Sequence, residues 1–374
     1  MQLEQIRWTS LNGWISLNST LHDKNAAQLV LLFTDPDYLN DTAALDDLVT
    51  RYPNANIIGG TSAGNILGTE VNDDDMVATA VYFEKSRIRV TTIEADSGHL
   101  KQQATQAALD LQENDLKHIL VLSDGLTVNG SSLAEGLNVL KNVSITGGLT
   151  GDKGRFEKTY VISNGKVHEN GVIFVGFYGD NLDVHYGCFA GWDEFGVDRV
   201  ITKSVDNVVY EIDGQPALNL YRTYLGDLAE QLPASGLRFP LSIRAGKDLL
   251  LIRTLLAIDE EQQSLTFAGD VPEGAITLLM KGSTTDLIEG ARNAAKQANG
   301  NNNPGLAVVI SCVGRRLLMG QMVEEELEVV QEELGDNTMI TGFYSYGELA
   351  PYSDQYFKCE LHNQTMTLFS IYEK

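Results

Sequence analysis

The stretch IIGGTSAG (57–64) decides the predicted fold. Its apolar start predicts a buried strand, and Gly59 and Gly60 end that strand without side chains. Thr61 and Ser62 follow with small hydroxyl groups, so a ligand could approach the backbone closely at this point. The stretch is therefore a candidate ligand-binding segment at the end of a strand.

The same pattern occurs twice more along the chain. It appears as ITGGLTGD (145–152) and as ITGFYSYGE (340–348). These copies place Thr150 and Ser345 where Ser62 stands in the first copy. Glycine also ends a buried strand tightly where no ligand binds, but three copies with a matching hydroxyl favour a ligand-contacting role.

Each copy follows an apolar strand and a segment long enough for one helix. The preceding strands are AQLVLLFTD (27–35), KHILVLSDG (117–125) and GLAVVISCVG (305–314). The segments between carry apolar residues at helical spacing: Leu45 and Leu48, Leu133 and Leu137, Leu327 and Leu334. Each unit is thus predicted as strand, helix, parallel strand and glycine loop. Right-handed crossovers would bring all the loops to the carboxyl ends of their strands, where open α/β sheets bind ligands.

Other segments predict antiparallel hairpins. Asn12-Gly13 and Asn164-Gly165 are dipeptides typical of hairpin turns. Residues 75–94 contain two alternating segments, which we expect to pair with each other.

The predicted fold class is α/β. We expect two mixed α/β domains, with strand–helix–strand units that end in glycine loops, plus antiparallel hairpins. A chain of 374 residues exceeds one ordinary core. We place the domains at residues 1–200 and 201–374.

Charge and composition narrow the function. The chain has 27 basic and 51 acidic residues, a net charge of −24, which disfavours nucleic acid and anionic membranes as partners. The N-terminus does not resemble a signal peptide, and no apolar run is long enough to span a bilayer, so a cytoplasmic location is expected. Three scattered cysteines do not form a disulfide frame or a CxxC metal site.

The chain resembles the FIST-domain family along nearly its whole length. The matching segments, in order, are GGTSAG, GGLTGD, GWDEFG, EIDGQPALNLYRTYLG (211–226), SCVGRR, ITGFYSYGE and LHNQTMT (361–367). The resemblance implies a FIST N and a FIST C domain that act as an intracellular sensor of small molecules in signal transduction, with amino acids a proposed ligand class. A subset of stand-alone bacterial members bind haem, sense nitric oxide and regulate a histidine kinase. The sequence resembles that subset in that it shows no appended output domain.

A haem b would need an axial ligand, and His362 is the first candidate. It lies among apolar residues, where a neutral imidazole can bind haem iron, although a structural buried histidine is equally compatible with that setting. His185 is the second candidate, and a thiolate of Cys188 or Cys359 is an alternative. The remaining histidines lie among polar residues and are expected to be exposed; they are His22, His99, His118 and His168.

Other side chains near the strand ends are candidate ligand contacts. Arg315 and Arg316 follow a strand end and could bind a carboxylate or a haem propionate, or form internal ion pairs. Tyr344 and Tyr346 flank Ser345 and could form the walls of a pocket or pack internally.

A serine hydrolase is the alternative from a different class. Residues 60–64 match G-x-S-x-G with Ser62 as the nucleophile. That motif needs a helix directly after the serine, and residues 65–68 show no helical pattern. The sequence therefore predicts a sensor and not an enzyme. Its partners would be a small molecule, a histidine kinase or further copies of the chain.

Overall fold

The computed structural model describes residues 1–244, 250–300, 305–351 and 357–374. The α-helices are α1 (Ala43–Arg51), α2 (Leu100–Leu111), α3 (Gly130–Leu137), α4 (Ala217–Leu225), α5 (Thr284–Asn299), α6 (Val313–Met319) and α7 (Glu325–Leu334). The first strands are β1 (Gln2–Thr9), β2 (Gly13–Ser19), β3 (Leu29–Thr34), β4 (Asn56–Thr61), β5 (Asn65–Leu67), β6 (Glu70–Asn72), β7 (Met76–Tyr82), β8 (Arg87–Glu94), β9 (Leu116–Ser123), β10 (Ser144–Leu149), β11 (Val161–Ser163), β12 (Lys166–His168), β13 (Gly171–Tyr178) and β14 (Leu182–Phe189).

The chain continues mainly as strands. These are β15 (Asp193–Glu194), β16 (Arg199–Val205), β17 (Val208–Ile212), β18 (Gln215–Pro216), β19 (Leu241–Arg244), β20 (Leu250–Arg253), β21 (Leu255–Asp259), β22 (Ser264–Phe267), β23 (Ile276–Lys281), β24 (Leu306–Cys312), β25 (Met339–Ser345), β26 (Gly347–Pro351), β27 (Cys359–His362) and β28 (Met366–Glu373). The predicted class, a two-domain α/β fold with hairpins, is confirmed.

Three of the sheets share one strand order. They run β12-β11-β4-β3-β7-β1, β27-β26-β10-β9-β13-β8 and β6-β5-β25-β24-β28-β14, and β2 extends the first. The centre of each is a parallel pair: β3 with β4, β9 with β10, and β24 with β25. A helix lies between the two strands of each pair along the chain, α1, α3 and α7 in turn. The three predicted units are therefore confirmed.

The units exchange strands in a cycle. The strand that follows each glycine segment pairs with the glycine strand of another unit: β11 with β4, β26 with β10, and β5 with β25. We number the three strand–helix–strand units 1 to 3 in chain order. After unit 1 the chain enters the sheet of unit 3, after unit 3 it enters the sheet of unit 2, and after unit 2 it enters the sheet of unit 1. Each of these sheets is completed by a strand that belongs to a different part of the sequence.

The glycines lie inside strands, where the sequence had indicated loops. The first glycine of each copy is Gly59, Gly147 or Gly342. A Cβ atom at these positions would lie 1.7, 2.1 and 1.8 Å from the carbonyl oxygens of Leu32, Val121 and Val309, on the neighbouring parallel strand. Glycine is therefore required by the close approach of two strands, in the same way in all three units.

The hairpin predictions had mixed outcomes. The turns at Asn12-Gly13 and Asn164-Gly165 connect β1 with β2 and β11 with β12, as predicted. The pairing within residues 75–94 was wrong, because β7 pairs with β1 and β3, whereas β8 pairs with β13 in another sheet. The short connection between β7 and β8 carries the chain from one sheet to the next, and strand alternation alone does not reveal such a change.

The fourth sheet is built from residues 193–281 within the described part of the chain, in the order β20-β19-β23-β16-β17-β22-β21. Helix α4 packs on it, with Leu218 and Tyr221 in a core that also contains Phe267. The sheet contacts the rest of the molecule near its β20–β21 turn, where Arg253 donates to the carbonyl oxygen of Leu361 at 2.9 Å. This contact places the fourth sheet opposite the strand ends of units 2 and 3.

Candidate functional site

Three backbone hydrogen bonds form a closed ring between the hydroxyl loops, which we call the central ring. The amides of Ala63, Gly151 and Tyr346 donate to the carbonyl oxygens of Tyr344, Thr61 and Leu149, at 2.8, 3.1 and 2.9 Å. Each bond joins the loop of one unit to the glycine strand of another. The three loops therefore meet in the buried region where the sheets converge, at the carboxyl ends of β4, β10 and β25.

The hydroxyls of the first two loops are buried. The predicted contact residues here are Gly59, Gly60, Thr61, Ser62 and Thr150, and the cavities described below are lined by other residues. Thr61 Oγ1 accepts from the amide of Tyr160 at 3.0 Å, and the hydroxyl of Ser62 donates to Asn65 Oδ1 at 2.5 Å. The other hydrogen bond of Ser62 Oγ is with the amide of Gly64, so no histidine is among its partners in the described residues. Thr150 Oγ1 is also buried, and it has no hydrogen-bond partner among the residues that the structure describes.

The two arginines are directed to different partners. Arg315 is fully buried and forms an ion pair with Glu326 at 2.8 Å, and it also donates to the carbonyl oxygen of Ala190 at 2.6 Å. Arg316 forms a bidentate pair with Asp73, at 2.8 and 2.6 Å. Their guanidinium groups are thus occupied by internal ion pairs in this structure.

The third loop contributes buried polar groups. Tyr344 donates to Glu326 at 2.6 Å, and Ser345 donates to Glu348 at 2.5 Å. Thr365 donates to the second carboxylate oxygen of Glu348 at 2.9 Å. Burial raises the pKa of Glu348 to about 7, although these hydrogen bonds and the charge of Arg315 oppose the increase.

Tyr346, a predicted contact of this loop, lines the crevice described below. Its ring stacks on Phe156, with centroids 4.4 Å apart, and its hydroxyl donates to the carboxylate of Asp152. The same hydroxyl accepts from the amide of Gly154 at 3.1 Å. Phe156 has a left-handed backbone with φ 57°, and its amide donates to Asp152 at 2.9 Å. Tyr346 and Asp152 therefore fix the loop that presents Phe156.

A crevice runs beside this aromatic pair, between the strand ends and the fourth sheet. Its first part, the polar chamber, has a volume of about 330 Å³. Its lining includes the start of α3, from Val128 to Gly130, and the adjacent Gly269 and Asp270, where Asn129 Nδ2 donates to Asp270 Oδ1 at 3.4 Å. The start of a helix carries partial positive charge and backbone N–H donors. Asp270 supplies a half-buried carboxylate whose pKa is raised by burial.

A buried cation lies behind the wall of the polar chamber. Arg253 donates to the backbone carbonyl oxygens of Asp270, Ile252 and Leu361, at 3.0, 3.1 and 2.9 Å. Burial lowers its pKa to about 10, so the guanidinium remains charged at neutral pH. The chamber thus has the positive start of α3 and the carboxylate of Asp270 in its lining, with the charge of Arg253 behind Asp270.

The second part of the crevice, the apolar chamber, has a volume of about 290 Å³. It shares Phe156, Leu256, Ala268 and Tyr346 with the polar chamber. Its remaining apolar lining is contributed by Leu232, Pro233, Ala234, Leu237, Leu255, Val313 and Leu317. The two chambers therefore adjoin and differ in chemistry.

His362 lines a separate cavity of about 460 Å³, together with Cys188 and Trp192. Its Nε2 atom lies 3.2 Å from the carbonyl oxygen of Ala350, and burial lowers its pKa to about 4. The imidazole is therefore neutral at physiological pH. His185 lies elsewhere, with Nε2 3.2 Å from Asp183.

The thiols are not activated. Burial raises the pKa of the Cys188 thiol to about 11, and it raises the pKa of the Cys359 thiol further still. Of the four histidines that were predicted to be exposed, His118 is instead fully buried between the hydroxyls of Ser144 and Thr146, at 2.8 and 2.9 Å. That prediction was wrong because neighbouring polar residues here point into the sheet interior.

The cavity at His362 meets some requirements of a haem. A neutral imidazole can bind the iron, and apolar walls suit the porphyrin; these walls are Phe189, Trp192, Leu250, Ile252 and Met280. The cavity residues include no arginine or lysine among those described. The imidazole of His362 and these walls would therefore suit the iron and the porphyrin ring.

Sequence reasoning missed three residues that line the crevice, Phe156, Thr254 and Asp270, and it missed Arg253 behind the wall. Phe156 follows the second glycine copy by only a few residues, so a longer motif window would have found it. The other three lie on the fourth sheet and the turn after it, and no sequence pattern predicts its docking onto the strand ends.

Two family models match the chain. The FIST N domain matches residues 28–215 and the FIST C domain matches residues 217–351, so the chain belongs to the FIST family. FIST domains are sensor domains of signal transduction that bind small ligands. The chain is also similar to an uncharacterized protein of Methanocaldococcus jannaschii, with 27% identity over 313 residues. That match covers 75% of this chain and 59% of the relative's length.

Two further observations concern membranes and metals. Within the ranges that the structure describes, none of the helices has the length and apolar character to cross a bilayer. The same ranges contain no cluster of three or more His, Cys, Asp or Glu side chains suited to holding a metal ion.

Proposed function

We propose that this protein is a cytoplasmic sensor of a small zwitterionic molecule, of the amino-acid type, that binds in the crevice. The observation that carries the proposal is the charge arrangement of the polar chamber. The start of α3 favours a carboxylate, and the carboxylate of Asp270 favours an ammonium group. The charge of Arg253, which lies behind the wall and donates to backbone carbonyl oxygens, adds to the positive field. An α-amino acid carries both groups within a few ångströms.

The position of the crevice suits a sensor. Its walls come from the FIST N region, through α3 and Phe156, and from the FIST C region, through Tyr346 and Asp270. A ligand between these walls would stabilise one arrangement of the fourth sheet relative to the strand ends that it faces. A partner protein that recognises that arrangement would receive the signal.

The test is calorimetric titration of the full chain with individual L-amino acids. We expect saturable binding, and we expect Asp270→Asn to weaken it by about tenfold or more, because the ammonium group loses its counter-charge. The matched control is Asp227→Asn, at an exposed position on the fourth-sheet side of the molecule. Absence of binding by every amino acid, or equal affinity in the Asp270→Asn protein, would contradict the proposal.

A second candidate function is haem-based sensing of nitric oxide with a histidine kinase as the partner. The specific observation in its favour is the neutral, buried His362 in an apolar cavity. A bound haem would supply an iron atom at which nitric oxide can bind. The contribution of the chain would be the imidazole of His362 and the walls around it.

Haem binding is tested by reconstitution and absorption spectroscopy. We expect an intense Soret band in the wild-type protein and its loss or displacement in His362→Ala, with His168→Ala as a control that leaves the cavity lining unchanged. Thermal unfolding of the haem-free variants provides a readout that is independent of loading. A spectrum of free haem in the wild-type protein would remove this candidate.

A further inference from the structure

The adjoining chambers of the crevice differ in polarity, and this difference bears on the class of ligand. The inference rests on the proposed function, since it concerns the same crevice. Phe156, Leu256, Ala268 and Tyr346 line both chambers, so a molecule bound in one can extend along these residues into the other. An α-amino acid with a long side chain would have its charged end in the polar chamber and its side chain in the apolar chamber.

The apolar chamber also contains one unused polar group. Thr254 lines it and is 95% buried, with a relative exposure of 5%. Its backbone groups are engaged, since its carbonyl oxygen accepts from the amide of Ala268 at 2.9 Å. Its hydroxyl, however, has no hydrogen-bond partner among the described residues. A buried hydroxyl without a partner costs free energy, so a ligand atom that bonds to it would be favoured.

We propose that the ligand is an aromatic amino acid with a polar tip, of the tyrosine or tryptophan type. The aromatic body would pack among Leu237, Leu255 and Val313, and its hydroxyl or ring N–H would hydrogen-bond to Thr254. A phenylalanine side chain fills the same space and leaves the hydroxyl of Thr254 unpaired. Alanine occupies the polar chamber alone.

The affinities of four amino acids test this assignment. We expect tyrosine or tryptophan to bind the wild-type protein at least about tenfold more tightly than phenylalanine, and phenylalanine at least about tenfold more tightly than alanine. In Thr254→Val the difference in affinity between tyrosine or tryptophan and phenylalanine should fall to about twofold or less, because valine has the shape of threonine without its hydroxyl. Thr223→Val, at an exposed position of α4, is the matched control and should retain the wild-type order.

A second variant blocks the apolar chamber. Ala234 lies at its exposed edge, and Ala234→Trp should reduce binding of the aromatic ligands to the level of alanine without changing alanine affinity. Ala43→Trp is the control for adding a tryptophan to the surface. Equal affinities of alanine and tyrosine in the wild-type protein would overturn this inference alone. Failure of all amino acids to bind would overturn the proposed function and this inference together.

Discussion

The amide nitrogen of Ala63 lies 2.8 Å from the carbonyl oxygen of Tyr344, so the first hydroxyl loop is hydrogen-bonded to the glycine strand of the third unit. This bond is one of the three in the central ring, and it accompanies the pairing of β5 with β25. Segments from opposite ends of the chain are therefore parts of one sheet. The family models divide the chain near residue 216, but the sheets do not follow that division.

The strand exchange predicts that the N-terminal half does not fold alone. A fragment of residues 1–200 lacks β26, the antiparallel neighbour of β10, and it leaves β5 without β25. Exposed strand edges and an uncovered apolar sheet face should make it aggregate or remain partly unfolded. Size-exclusion chromatography and circular dichroism check this, with the co-expressed fragment 201–374 as the rescue. A monomeric fragment 1–200 with cooperative unfolding would contradict the expectation.

Replacement of Gly342, the glycine at the close strand approach of the third unit, should reduce stability. In Gly342→Ala the new methyl would lie 1.8 Å from the carbonyl oxygen of Val309, so the parallel strands must separate. We expect a loss of about 3 kcal/mol or more in the free energy of unfolding, measured in urea. Gly98→Ala is the control, since its nearest neighbour is a flexible side chain at 3.5 Å. Similar stabilities of the two variants would show that the close approach is relaxed in solution.

Glu348 should make stability depend on pH. Its pKa is raised from 4.5 to about 7 in the folded protein, mainly by burial. Folding therefore favours the protonated acid, whose contribution is complete below about pH 4.5 and is lost as the pH rises through about 7. Between pH 5 and pH 8 the wild-type protein should lose up to about 3 kcal/mol that Glu348→Gln retains. Urea unfolding of both proteins, with Glu328→Gln as an exposed control, measures the difference; parallel pH curves would argue against it.

The hydroxyl of Tyr346 should stabilise the loop that presents Phe156. Tyr346→Phe removes a donor to Asp152 and an acceptor for Gly154, and leaves the ring stacking intact. We expect a loss of about 1–3 kcal/mol in the free energy of unfolding. Hydrogen exchange of residues 152–158 should also become faster. Tyr372→Phe, at a position that is 40% exposed, should change neither quantity.

The sequence predicts the repeated part of the fold well, because its physical causes are local. Glycine at a close strand approach and apolar spacing on helices recur three times, so the parallel pairs β3–β4, β9–β10 and β24–β25 could be predicted. The strand exchange could not be predicted, since the sequences of β5, β11 and β26 do not indicate which sheet each strand joins. The pairing within residues 75–94 failed for the same reason.

The candidate site was only partly predictable. Tyr346 was identified from its loop, and it lines both chambers. Asp270 and Thr254 belong to the fourth sheet and to the turn after it, and their approach to the crevice depends on tertiary docking. Arg315 and Arg316 are a different case, because the sequence left ligand binding and internal ion pairs open, and the structure pairs them with Glu326 and Asp73.

The most direct test of the account is a crystal structure of the full chain with the amino acid that binds most tightly in the titrations. The account predicts ligand density in the crevice, with the carboxylate near the amide of Gly130 and the ammonium group near Asp270. The side chain should lie beside Phe156 and Tyr346. Ligand density in the cavity around His362, with both chambers of the crevice empty, would contradict it.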